Sequence, residues 1–97
     1  MKSVLITFDQ AHYEEIVSVL DRLNCRGFTH VERVQGRGSK TGEPHYGSHA
    51  WPAVNAAVIA VVEDHRATPL LAALKEMDEK KNRLGLRAFV WNIEQSI

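Results

Sequence analysis

The segment from residue 54 to residue 63 constrains the fold of this 97-residue chain more than any other stretch. Its apolar side chains occupy both sets of alternating positions, whereas a strand with one solvated face carries apolar residues at every second position. Pro52 before the segment and Asp64 after it limit the segment to the length of a strand. The segment is therefore predicted to be a strand that is covered on both sides.

The first third of the chain predicts a strand followed by a helix. Residues 4–8 are mostly apolar or β-branched and precede Asp9, which is typical of a short strand. Over residues 13–23 the apolar side chains recur at helical spacing and form one stripe. We expect this helix to end near residues 24–25, with Gly27 suited to a left-handed stop or turn.

The remaining segments complete a β-α-β-β-α-β order. A second strand is predicted over residues 28–35, and the third is the segment described above. A second helix, capped by Asp64 or Thr68, is predicted to stop by Gly85, and a last strand follows at 87–92. This order predicts an α+β fold, a ferredoxin-like βαββαβ sandwich in which two helices cover one face of a four-stranded antiparallel sheet.

The second face of this sheet has no segment left to cover it, although three of the strands present apolar side chains to both faces. A chain of this length builds only one modest core, and a large uncovered apolar face is a liability in a monomer. We therefore expect several copies of the chain to pack these faces together in a closed homo-oligomer.

The composition excludes several classes of partner. Twelve basic and twelve acidic side chains give a formal net charge of zero, whereas nucleic-acid binders usually have a clear basic excess. Cys25 is the only cysteine, so no internal disulfide forms, and no apolar run approaches the roughly 20 residues of a membrane span. We expect a single cytoplasmic domain over residues 1–97, without nucleic-acid binding or membrane insertion.

A long loop at about residues 36–53 joins the second and third predicted strands. Its first half places three glycines around two cations: Gly36, Arg37, Gly38, Lys40 and Gly42. Glycines let backbone N–H groups approach an anion closely, and the cations add positive charge. The spacing is not that of a Rossmann or P-loop motif, so an ordinary surface loop and an anion-binding loop are both compatible with it.

The second half of the loop contains candidate metal ligands. His45 and His49 are four residues apart, and Glu43 offers a third ligand if the backbone turns. Solvent-exposed or partner-contacting histidines are the alternative. No Ser/His/Asp, Cys/His or paired-carboxylate pattern has convincing catalytic spacing, so we expect a protein that is not an enzyme.

Two short motifs and the order of elements together resemble the PII signal-transduction proteins and their PII-like relatives. The chain begins with Met-Lys, carries a Gly-x-Thr step as Gly27-Phe28-Thr29, and carries a Val-x-Gly-x-Gly-x-x-x-Gly motif at residues 34–42. The similarity extends over nearly the whole chain, and the loop motif is its most specific part. We interpret the chain as a divergent member of this nitrogen regulatory protein family.

The resemblance implies a homotrimer whose sheets face a central axis and whose ligands, typically adenine nucleotides, occupy clefts between neighbouring subunits. In the family the long loop, called the T-loop, changes shape with ligand and docks onto transporters, channels or enzymes. The residues that match the cleft by position are Gly27, Thr29, Gly36, Arg37 and Gly38, with Arg87 at the position of a phosphate-contacting Lys.

Three departures from the family pattern point away from classical nitrogen sensing. Lys40 stands where nitrogen-sensing members have a Gln that helps to bind Mg-ATP with 2-oxoglutarate, and Tyr46 is near but not at the usual modified position. The chain ends at Ile97 without the later Arg-rich segment that clamps phosphates in the family. We therefore expect a PII-like regulator of the kind linked to metal, bicarbonate or other transport, with an adenosine mono- or diphosphate as the better ligand.

Two other hypotheses account for the same residues. A divalent-cation tolerance protein of similar trimeric fold would bind a divalent metal through His45, His49 and Glu43, without nucleotide. A small ferredoxin-like isomerase or monooxygenase would use a histidine as acid or base. Nucleotide binding, metal uptake and turnover distinguish these three hypotheses.

Overall fold

The computed structural model of the chain describes residues 1–34, 36–37, 44–45, 55–80 and 85–97, with the backbone alone at 36–37 and 44–45. In chain order the elements are β1 (Lys2–Asp9), a 3-10 turn (Gln10–His12), α1 (Tyr13–Arg22), β2 (Phe28–Val31), β3 (Gly36–Arg37), β4 (Pro44–His45), β5 (Asn55–Val62), α2 (Asp64–Lys80) and β6 (Arg87–Asn92). The predicted β-α-β-β-α-β order is confirmed, with the short strands β3 and β4 added inside the predicted loop.

Four strands form one antiparallel sheet in the order β2-β5-β1-β6. The central strands β1 and β5 pair along their whole length, from Lys2 opposite Val62 to Asp9 opposite Asn55. Strands β3 and β4 pair with each other in a separate two-stranded ribbon. The main sheet therefore has the predicted ferredoxin-like arrangement, with β2 and β6 as its outer strands.

The first helix ends earlier than predicted and at a different residue. α1 ends at Arg22, and Asn24 adopts the left-handed conformation with φ +58°. The Cys25 N–H donates to the Leu20 carbonyl at 2.7 Å, which is the closing bond of a Schellman motif. The expectation that Gly27 stops the helix is therefore wrong, because Asn tolerates the left-handed region and closes the helix before Gly27 is reached.

The second strand is shorter than predicted. β2 stops at Val31, whereas a strand was expected through residue 35. Beyond a bend at Glu32, the chain touches the sheet again where the Val34 N–H donates to the Asn55 carbonyl at 3.1 Å. This one bond holds the start of the long loop against the start of β5.

The core lies between the sheet and the two helices. Its residues come from alternate positions of β1 and β5 and from the inner faces of the helices. They are Val4, Ile6, Phe8, Ile16, Val19, Leu20, Cys25, Ala56, Val58, Ala60, Val62, Ala67, Leu70, Leu74 and Leu86. This single cluster accounts for the stripe predicted on the first helix and for one of the two apolar faces predicted for the strands.

Helix α2 is hydrogen-bonded to the C-terminal end of α1. Arg66 Nη1 donates to the Leu23 carbonyl at 3.0 Å, which places a cation at the negative end of the α1 dipole. Burial raises the pKa of the nearby Cys25 thiol, and the positive charge of Arg66 opposes that effect. The contact joins the two helices that cover the inner face of the sheet.

The opposite face of the sheet, which we call the open face, is not covered by any described residue. Its large apolar side chains are 39–56% exposed: Val31, Ile59, Val61, Phe89 and Trp91. They alternate along their strands with side chains that point toward the helices. The strands thus present apolar side chains to both faces, and the two helices cover only one face, as predicted.

Candidate ligand-binding cleft

Two short segments of the long loop form an antiparallel ribbon. Gly36 lies opposite His45 and Arg37 lies opposite Pro44 in the antiparallel pair of β3 and β4. Because Val34 is hydrogen-bonded to the start of β5, this ribbon begins directly beyond one end of the main sheet. The ribbon therefore places Gly36 and Arg37 at the base of the loop.

The last strand begins at the same end of the sheet. Gly85 has φ +76°, a conformation that favours glycine, and it precedes Leu86, whose N–H donates to Asp78 Oδ1 at 3.2 Å. Arg87 then lies opposite Thr7 in the register of β1 and β6. The Arg87 side chain is exposed, and its Nη1 donates to the Leu86 carbonyl at 3.1 Å.

Strand direction places these features at one end of the sheet. β1 runs toward Asp9, whereas β5 and β6 are antiparallel to it and begin near that end, at Asn55 and Arg87. The C-terminal end of β1, the base of the loop and the start of β6 therefore share one end of the sheet. Three of the predicted ligand contacts, Gly36, Arg37 and Arg87, lie at this end.

Two further predicted contacts, Gly27 and Thr29, lie on the β2 edge of the sheet, opposite the β6 edge that carries Arg87. Thr29 on β2 pairs with Ile59 on β5, and strands β5 and β1 lie between β2 and β6. Neighbouring strands are about 4.8 Å apart, so the outer strands that carry Thr29 and Arg87 are separated by about 14 Å. One copy of the chain does not bring these residues together.

The groups with shifted pKa values among the described residues lie away from this end. The N-terminal ammonium, 2.7 Å from Asp64, lowers the pKa of that carboxyl at the start of α2. Lys80, 2.7 Å from Glu76, lowers the pKa of Glu76 on the outer side of α2. Both are exposed surface pairs, so these shifts point to ion pairing rather than to acid–base chemistry at the loop base.

Several predicted site residues fall outside the described part of the chain. Gly38, Lys40, Glu43 and His49 are not described, and His45 is described by its backbone alone. The proposed metal site therefore stays a prediction. Within the ranges that the structure describes, no group of three His, Cys, Asp or Glu side chains is arranged to hold a metal ion.

Two polar residues near the loop base were not singled out from the sequence. Asp9 and Asn55 lie opposite each other at the last pair of β1 and β5. Each stands at the end of an otherwise apolar strand, which is a weak sequence signal because polar residues commonly flank strands. Their proximity depends on the register between strands that are far apart in the chain.

Comparison with solved structures identifies the fold and its relatives. The PII-like protein CPII from Thiomonas intermedia K12, bound to ADP, AMP and bicarbonate, has a TM-score of 0.77 and 26% identity, over 95% of this chain and 84% of that chain. The same protein bound to ADP and bicarbonate has a TM-score of 0.75 and 28% identity, again over 95% of this chain and 84% of that chain. A putative PII-like signalling protein from Thermus thermophilus shares the fold, with a TM-score of 0.68 and 24% identity, over 95% and 85%.

The helices and the sequence of the chain add three further findings. No helix in the described ranges has the length and apolar character needed to cross a membrane. No curated protein matches the chain significantly. The family model described as nitrogen regulatory protein P-II matches residues 1–97. With this match over the whole length and the ferredoxin-like topology described above, the chain belongs to the nitrogen regulatory protein P-II family.

Proposed function

We propose that this protein is a PII-like sensor that binds an adenine nucleotide between subunits and transmits its occupancy through the long loop to a partner protein such as a transporter. The observation that carries the proposal is the division of the predicted contacts between the two edges of the sheet. Gly27 and Thr29 lie on the β2 edge, and Gly36 follows on the same side of the sheet because Val34 is hydrogen-bonded to β5, whereas Arg87 begins β6 on the other edge. A cleft that uses both sets requires the β2 edge of one copy beside the β6 edge of another.

This pairing of unlike edges supports a closed ring of subunits. A contact between two different surfaces of identical copies generates either a ring or an open filament. The open face carries exposed apolar residues that a ring would bury around its axis. The family resemblance implies three subunits, and we propose a homotrimer on these grounds.

The ligand proposed is an adenosine mono- or diphosphate. Backbone N–H groups near Gly36 and Gly38 would approach the phosphates, and Arg37, Lys40 and Arg87 would supply positive charge. The CPII structures at 26–28% identity are bound to ADP and bicarbonate, and one of them is also bound to AMP. These neighbours support an adenine nucleotide for this chain, and they make bicarbonate a candidate second ligand.

We further propose that the protein acts in the cytoplasm and has no catalytic role, so that its output is a change in the loop. A ligand at the loop base shifts the loop toward one conformation only by its difference in affinity for the two conformations. The partner would then read that conformation. A transporter is the partner class suggested by the family resemblance and by the bicarbonate in the CPII structures.

Calorimetry tests this proposal on the native oligomer with AMP, ADP and ATP, each with and without bicarbonate. We expect saturable binding of at least one nucleotide, and Arg87→Ala should weaken it by about 1.5–3 kcal/mol, the range for a hydrogen bond to a charged group. Arg22→Ala, which removes an exposed cation from α1, is the matched control and should leave affinity unchanged.

Two results would contradict the proposal. One is the absence of binding for all three nucleotides, and the other is equal affinity of the Arg87→Ala variant and the unmodified protein. Uptake of zinc without nucleotide, lost in His49→Ala, would instead support the metal-binding alternative.

A further inference from the structure

The open face carries two different surfaces. Toward the start of β1 it is apolar, with Val61 and Trp91 exposed on either side of Ser3. Toward the end of β1 it is polar, and we call this region the polar end, formed by Thr7, Asp9, Asn55 and Arg87. The polar end adjoins the base of the long loop.

Strand alternation puts these side chains on the open face. Phe8 is 2% exposed and belongs to the core, so Thr7 and Asp9 on either side of it point away from the helices. Ala56 is fully buried in the same core, so Asn55 before it also points to the open face. The polar end thus shares a face with the apolar residues that the proposed oligomer buries.

The strand register brings the charges of the polar end close together. Asp9 lies directly opposite Asn55, where Cβ atoms are about 4.5–5.5 Å apart. Thr7 lies directly opposite Arg87, so Arg87 is on the diagonal from Asp9, at about 7–8 Å. The register therefore places Asp9 on the diagonal from the arginine proposed to contact phosphate.

A local hydrogen bond holds the Asp9 carboxylate in place. Asp9 Oδ1 accepts the Ala11 N–H at 2.9 Å and caps the 3-10 turn that follows β1. The side chain loses this cap if it turns away. The negative charge is therefore a fixed part of the polar end.

We propose that Asp9 is a specificity residue that selects among adenine nucleotides by their charge. The inference rests on the proposed function, because it requires the phosphates to lie near Arg87. Each further phosphate group adds about one negative charge, and the repulsion from Asp9 grows with that charge. The site therefore favours AMP and ADP over metal-free ATP.

Asp9→Asn is a sharp test because Asn keeps the capping oxygen and the side-chain shape but removes the charge. Asp21→Asn is the matched control, since Asp21 is an exposed carboxylate on α1 and its loss changes the net charge equally. Dissociation constants for AMP, ADP and ATP are measured by calorimetry in EDTA at low and high salt. Thermal unfolding monitors the fold of both variants.

We expect Asp9→Asn to lower the ratio of the ATP to the AMP dissociation constant by about tenfold at low salt, with ADP between them. The effect should shrink at high salt, because screening weakens the repulsion between charges. Asp21→Asn should leave the ratio unchanged.

An unchanged ratio in Asp9→Asn, or an equal loss of affinity for all three nucleotides, would overturn the role of Asp9 while leaving nucleotide binding intact. Absence of nucleotide binding by the unmodified protein would instead overturn the proposed function, and the selectivity of Asp9 with it.

Discussion

The two faces of the sheet are built from alternate residues of the same strands, yet they differ sharply in exposure. On the inner face Ile6 and Val58 are fully buried beneath the helices. On the open face Ile59 and Phe89 are 39% and 56% exposed. Both faces are apolar, so hydrophobicity alone does not distinguish them.

This difference indicates that the inner face is buried when the subunit folds and that the open face is buried when subunits assemble. The inner face is covered by α1 and α2 of the same chain, so its burial stabilises the folded subunit. The open face has no covering layer in the described part of the chain, and we propose that other copies of the chain bury it. Substitutions on adjacent residues of one strand should therefore separate folding from assembly.

The largest effect is expected on the inner face. Val58→Asp places an unpaired charge in the core, which should destabilise the subunit by more than about 4 kcal/mol and prevent folding. Circular dichroism and thermal unfolding would measure this loss. A folded Val58→Asp protein with a cooperative transition would contradict the packing described for β5.

Substitution of the next residue, Ile59, should affect the fold less but should strongly affect assembly. Ile59→Asp puts a charge on the open face, where it stays solvated in the single subunit but is desolvated between subunits. Native mass spectrometry and light scattering should show loss of the trimer. Thr68→Asp, on the exposed side of α2, adds the same charge and should keep the trimer.

The outcome for Ile59→Asp decides the role of the open face. A trimer that survives this substitution would show that the apolar residues of the open face are not its interface. A stable monomer of the unmodified protein at micromolar concentration would remove the interface proposal altogether.

The smallest effect concerns the helical layer alone. Arg66→Ala removes the hydrogen bond to the Leu23 carbonyl and the cation at the α1 C-terminus, which should lower the free energy of unfolding by about 1–2 kcal/mol. Urea denaturation at fixed protein concentration would measure it, with the subunit count unchanged. A change in subunit count would indicate that the two faces are coupled.

Much of the fold was predictable because its signals are local. The helical stripe over residues 13–23 and the two-faced apolar run at 54–63, together with the other predicted strands and the second helix, predicted the order of elements and the uncovered face. The errors lie at element ends, where Asn24 rather than Gly27 adopts the left-handed conformation and β2 stops at Val31. Ends depend on a few hydrogen bonds that hydrophobic spacing does not report.

The candidate site was predictable only as a set of residues. The motif at residues 34–42 pointed to Gly36 and Arg37, and the family position pointed to Arg87. Neither indicated that Asp9 lies diagonal to Arg87, because the two are far apart in the chain and meet only through the register of β1 and β6.

By itself the sequence determined which segments form strands and helices and that both faces of the strands are apolar, since periodicity is a property of neighbouring residues. Only the tertiary structure decided which alternate set meets the helices and which stays open. It also decided that Thr29 and Arg87 lie on opposite edges of the sheet. Strand order and register are set by pairing between distant segments, and a shift of one residue would exchange the two faces.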